Sequence, residues 1–132
     1  MITKRAFLAL IAPLLAGCTR FETVEPLPKA DRIAITYNGF DPDSPDQEIT
    51  DLKQIDAIIQ FANDRLDGWH YPLATMPAGD THVWLYKDNQ SVGYIGATRG
   101  NFLRCPTKGG LKFLRNATDD EMKQFHHLLT RT

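Results

Sequence analysis

His82-Val83-Trp84-Leu85-Tyr86-Lys87 and Ser91-Val92-Gly93-Tyr94-Ile95-Gly96-Ala97-Thr98, separated only by Asp88-Asn89-Gln90, are the stretch that decides the fold. Val83 and Leu85 alternate with Trp84 and Tyr86, and Val92, Tyr94 and Ala97 mark a second extended run. Side chains that change face at every residue make half-buried strands, and a short polar turn between two of them makes an antiparallel hairpin. Strands are therefore expected over about 82–87 and 91–98, with 88–90 as the turn.

Downstream, Arg99-Gly100-Asn101 turns the chain again. Phe102 to Cys105 forms a short strand stopped by Pro106, and Gly109-Gly110 leads into Leu111–Arg115. Thr118-Asp119-Asp120-Glu121 is a capping-box pattern, which starts a last helix with Met122, Phe125, Leu128 and Leu129 on its core face. Upstream, Leu52, Ile55, Ile58, Ile59, Ala62 and Leu66 recur at three- and four-residue steps. They predict a helix from an N-cap at Thr50, with Asp51 in its first turn, to Asp67-Gly68. Residues 72–81 read as a loop. Ile33, Ile35 and Tyr37 alternate with Ala34 and Thr36 in a first strand over about 31–37, followed by an acidic loop, 38–48, broken by Pro42 and Pro45. The expectation is an α+β fold, an antiparallel sheet of about five strands with two helices, in the order β-α-β-β-β-β-α. That order of elements resembles the TATA-binding-protein-like folds, a likeness that carries no function with it.

The N-terminus points to location. Lys4 and Arg5 precede an uncharged run from Ala6 to Ala16, which closes on Leu15-Ala16-Gly17-Cys18. Eleven residues of helix reach about 16 Å, roughly half of a hydrocarbon core, and Pro13 interrupts them. The run has the length of a signal h-region rather than of a span. A branched apolar residue, two small residues and a cysteine resemble the lipobox of bacterial lipoproteins. The resemblance implies removal of residues 1–17, a diacylglycerol thioether on Cys18 and, in many bacteria, a further acyl chain (commonly palmitate) on the new amino group. Two or three chains hold a protein on a membrane far more firmly than one. Thr19, where enterobacterial lipoproteins kept at the inner membrane tend to carry Asp, implies the outer membrane, facing the periplasm. The domain reading is 1–17 signal peptide, 18–30 lipidated N-terminus and tether, and 31–132 a single domain. Pro26 and Pro28 favour an extended tether, whose dozen residues would reach about 40 Å; the alternative is that Phe21 and Val24 dock on the domain.

Of 15 Lys+Arg and 16 Asp+Glu, only Lys4 and Arg5 lie in the first seventeen residues, so 13 bases and 16 acids remain and the formal charge is −3. Charge is unevenly placed. From Asn89 to Thr118 there is no acid, while Arg99, Arg104, Lys108, Lys112 and Arg115 give +5. From Phe21 to Asp67, 11 acids face four bases. The basic segment reads either as a surface that steers an acidic partner, with the five bases turned outward, or as an ordinary solvated face. Acidic envelope proteins, glycans and anionic headgroups fit the first reading; export argues against nucleic acid. With Cys18 lipidated, Cys105 is the remaining thiol and reads as a packed core side chain.

Asp41-Pro42-Asp43-Ser44-Pro45-Asp46 alternates carboxylates, but a calcium loop counted from Asp41 would meet Pro45, Asp46 and Leu52 at its fifth, sixth and twelfth positions, where an oxygen ligand, glycine and glutamate belong. His70, His82, His126 and His127 have no cysteine or carboxylate at a recognised ligand spacing. Ser44 and Ser91 lie outside any nucleophile-elbow pattern, and the glycines have turn rather than phosphate-loop spacing. No metal, cofactor or catalytic set is predicted. The expected function is a monomeric, non-enzymatic interaction module on the envelope, with an inhibitor or immunity lipoprotein against an incoming enzyme or toxin as the alternative.

Overall fold

The computed structural model describes residues 21–39, 41–71, 80–105 and 113–130. The strands are β1 (Arg32–Tyr37), β2 (Gln47–Ile49), β3 (Thr81–Lys87), β4 (Gln90–Thr98), β5 (Asn101–Arg104) and β6 (Phe113–Asn116), with α1 (Leu52–Asn63) after β2 and α2 (Asp119–Thr130) after β6. The sheet order is β2-β1-β3-β4-β5-β6, and each neighbouring pair is antiparallel. The fold is the expected α+β arrangement with one strand more.

That extra strand lies in the stretch expected as an acidic loop. β2 is three residues long, with one apolar side chain, Ile49, set opposite Ile33. It holds through the turn before it. Asp41 Oδ1 accepts from Asp43 N–H, Asp46 Oδ2 accepts from Tyr37 N–H at 2.7 Å, and Asp46 N–H reaches the Ile35 carbonyl. The carboxylates of this stretch serve the backbone.

The central hairpin turns on two residues rather than three. Asp88 (φ 51°) and Asn89 (φ 65°) both take the left-handed conformation that a two-residue I′ turn demands, and Gln90 already belongs to β4. A bulge at Leu85/Tyr86 shifts the register by one and leaves Val92 over.

Both helices pack on one face of the sheet. Ile33, Ile35, Val83, Leu85, Ile95, Ala97 and Phe102 meet Ile55, Ile58 and Ala62 of α1 and Phe125 and Leu129 of α2. Phe61, Phe102 and Phe125 form an aromatic centre with centroids 5.3 to 5.6 Å apart. The α2 carbonyls that no helical turn can satisfy are met by side chains: Gln54 donates to Leu128 and Leu129, and Gln47 to Leu129 at 2.8 Å. The capping box forms as expected, Glu121 N–H donating to Thr118 Oγ1 and Thr118 N–H to Glu121 Oε1, both at 3.1 Å.

The first helix differs from expectation at both ends. Asp51, not Thr50, is its N-cap, with Oδ1 accepting from Lys53 N–H. Leu52 stands in the first turn, 58% exposed, away from the core face assigned to it. The helix stops at Asn63, whose side-chain amide is occupied by another segment, and Gly68 (φ 82°) closes the turn that follows.

That other segment is the expected tether. Residues 21–30 are not free. Val24, Leu27 and Ala30 are buried, a period of three that matches a polyproline-II course through Pro26 and Pro28. Glu22 and Trp69 form an antiparallel bridge, Val24 N–H donates to the Leu66 carbonyl, and Leu27 exchanges two hydrogen bonds with Asn63 (2.7 and 3.1 Å). Leu27 lies over Gly93, where a Cβ would stand 2.8 Å from its Cδ2. The segment is a strap from the β6 side of the sheet to β1, and the packed domain begins before residue 31. Residues 1–20, with the lipobox and Cys18, lie outside the described residues, as do 72–79 and 106–112.

Candidate functional site

Of the five bases of the predicted surface, three lie among the described residues, and two of these are drawn into contacts within the fold. Arg99 is exposed at the β4–β5 turn, and Lys108 and Lys112 lie outside the described residues. Arg104, expected to point outward, is 4% exposed. Along β5, Phe102 enters the main core while Leu103 joins a small cluster with Tyr94 and Leu114 on the other face. Arg104 shares the face of Phe102. Its Nη2 donates to the Glu25 carbonyl of the strap at 2.8 Å, its guanidinium lies 5.9 Å from the Trp69 ring, and its Nη1 is buried without a hydrogen-bond partner. Burial lowers its pKa to about 10, although the Cys105 side chain acts in the opposite sense. Arg104 is an internal strut.

Arg115 is turned inward as well. Its Nε donates to the Asp67 carbonyl at 2.9 Å, and its Nη1 lies 3.2 Å from Glu121 Oε2. The same oxygen accepts from Arg65 Nε at 2.6 Å. Burial would raise the pKa of Glu121, but hydrogen bonds from the Thr118 N–H, Arg65 and Arg115 outweigh it and hold the carboxyl below its usual range. This trio ties the start of α2 to the end of α1. Cys105, expected in the core, is half-buried at the margin of the far-face cluster.

What the strands do assemble is an aromatic group on the face away from the helices. His82, Trp84 and Tyr86 alternate along β3, and Tyr94 sits opposite Trp84 on β4. The Trp84 ring stacks on His82 at 5.4 Å, and Tyr94 lies 5.8 Å from both. His82 Nδ1 and the Tyr94 hydroxyl are hydrogen-bonded at 2.6 Å. Tyr94 crosses Gly96, where a Cβ would collide with its hydroxyl, so this glycine makes room for the pair. Burial, and then the Cys105 side chain, push the phenol well above its ordinary value, which keeps it protonated. His82 and Tyr94 are buried, whereas Trp84 and Tyr86 are half-exposed. Arg32 lies over the Tyr86 ring at 4.2 Å, and its Nη1 reaches Glu48 at 3.4 Å. Trp, Tyr and Arg are the side chains that carry most binding energy in protein contacts. The signal was present in the sequence as three rings at alternate positions, 82, 84 and 86.

The other histidines stay apart. His70 bridges β6 through Leu114, with Nδ1 buried and unpartnered; His126 packs edge-on to Phe125; His127 is exposed. Among the described residues no three His, Cys, Asp or Glu side chains gather as a metal set would. No protein-family model, curated protein or solved structure matches the chain.

Proposed function

We propose that the protein is an envelope lipoprotein, anchored by lipid on Cys18 and facing the periplasm from the outer membrane, whose small α+β domain is a non-enzymatic interaction module. One observation carries the reading: a basic n-region, an apolar run and Leu15-Ala16-Gly17-Cys18 stand directly before a packed domain. The surface offered to a protein partner is the half-exposed strip of Trp84, Tyr86 and Arg32 with Glu48 at its side. It is preferred to the basic segment because Arg104 is buried and Arg115 is engaged by Asp67 and Glu121.

The anchor is tested by growing cells with a clickable palmitate analogue. The wild-type protein takes up label and Cys18→Ser does not; an unlabelled wild type would refute the anchor. The module is tested by recovering partners from solubilised envelopes with the lipidated protein. Trp84→Ala should lower recovery at least about tenfold, the scale of a hot-spot residue, while Arg99→Glu leaves it unchanged. Equal recovery by wild type and Trp84→Ala would remove the strip from the reading. Recovery of an imported enzyme or toxin would specify the module as an inhibitor.

A further inference from the structure

We propose that the domain is mounted flush on the bilayer by the β6 side of its sheet, with Phe21 and Tyr71 seated among the headgroups. The inference rests on the lipid anchor at Cys18 and adds an orientation to it.

The length of chain between anchor and fold is the first ground. The strap is fixed from Glu22 onward, by the bridge to Trp69, by Val24 on Leu66, by Leu27 on Asn63 and by the Arg104 bond to Glu25. Only three residue steps separate Phe21 from Cys18, at most about 11 Å of extended chain. A dozen free residues would let the domain wander some 40 Å from the lipid; three do not.

The second ground is what the surface presents at that point. Phe21 is 65% exposed, the largest exposure among the described large hydrophobic side chains, and Tyr71 is 43% exposed. Phe21 meets the His70 ring edge-on at 6.2 Å, and Tyr71, the next residue, stacks on Phe113 of β6 at 4.2 Å. Two partly uncovered aromatics therefore flank the place where the anchored chain joins the sheet. Tyr and Trp are enriched at membrane interfaces because an apolar ring and a polar tip suit the headgroup layer, and Phe supplies the apolar body alone. Glu22 and Glu25 are exposed beside them, which favours a zwitterionic surface over an anionic one. With six strands about 4.8 Å apart, the β2 edge then stands roughly 24 Å further from the bilayer, and the Trp84 strip lies between the two edges.

The test uses the full lipidated protein in phosphatidylcholine vesicles whose acyl chains carry bromine, a quencher confined to the lipid. Mass measurement first establishes the lipid on Cys18; without it, the anchor and this proposal fall together. With the lipid present, Phe21→Trp should add an emission that brominated lipid quenches by more than half. Glu48→Trp, at the opposite edge, should add one that it does not quench. A lipidated Phe21→Trp protein whose added emission is unquenched would overturn the mount while leaving the anchor standing. Twelve Gly/Ser residues inserted between Arg20 and Phe21 should reduce the quenching at least twofold. Undiminished quenching would overturn the claim that the short chain holds the edge down. Shielding of Phe21→Trp that depends on protein density rather than on bromine would mean that a second copy covers it, and would overturn the mount.

Discussion

Glu121 gathers more of the fold than any other single carboxylate described. It caps α2 through Thr118 and accepts from both Arg65 and Arg115. Its folded pKa lies below the ordinary 4.5, so the stability it contributes is present above that value and is lost as pH falls through the folded one. Glu121→Gln should cost about 1.5–3 kcal/mol at neutral pH, the worth of hydrogen bonds to a charged group. The deficit should shrink at low pH, as the wild-type carboxyl is itself protonated below its folded value. Urea melts of both proteins at the two pH values check this. The inward turn of Arg115 was legible: Phe113 and Arg115 are two apart on a strand, so a core position for one draws the other to the same face. Arg104 was not. Leu103 and Cys105 made an equally apolar pair to Phe102, and choosing between them exchanges every side chain of β5 from one face to the other. The three-ring centre with Phe61 and Phe125 decides it, and that is tertiary information.

At the scale of elements, the strap separates what periodicity reveals from what it hides. The central strands and the last helix repeat at 2 and 3.6 and were found within a residue or so, as β1, β4, β5 and α2 show, whereas α1 ends four residues before the expected Asp67-Gly68. The strap repeats at three over only Val24, Leu27 and Ala30, too short a run to stand out without its receptors Asn63, Leu66 and Gly93. β2 is shorter still. Burying Val24 and Leu27 is worth about 1.5–3 kcal/mol each. A chain starting at Lys29 should therefore be at least about 3 kcal/mol less stable than one starting at Cys18, by denaturant melting followed with circular dichroism. Gly93→Val should cost about 1–3 kcal/mol in the longer chain, through the Leu27 clash, and far less in the shorter one. Equal costs in the two would mean that Gly93 is required by β4 itself.

At the scale of the whole molecule, one core spans the strap, both helices and all six strands, so a single cooperative transition is expected. Lipidated wild type in detergent and soluble Cys18→Ser should differ in stability by less than about 0.5 kcal/mol, because the described core begins only at Val24. Matched urea melts measure it, and a larger gap would mean that the N-terminus packs on the domain. Architecture was readable because two helices and a hairpin meander leave few ways to build one sheet. The surface was less readable, since a charge run reports composition and not which face each strand turns out. The ends of the sheet have one more consequence. β2 is only three residues long and carries a charge at Glu48, and beyond β6 the backbone pairing continues through His70–Leu114 and Trp69–Glu22. Exposed strand edges are templates for adding a neighbour's strand, and proteins crowded in the plane of one membrane meet far more often than the same number dispersed in solution. On the proposed lipid anchor, a sheet finished in this way at both ends can be packed densely without its copies polymerising into fibrils.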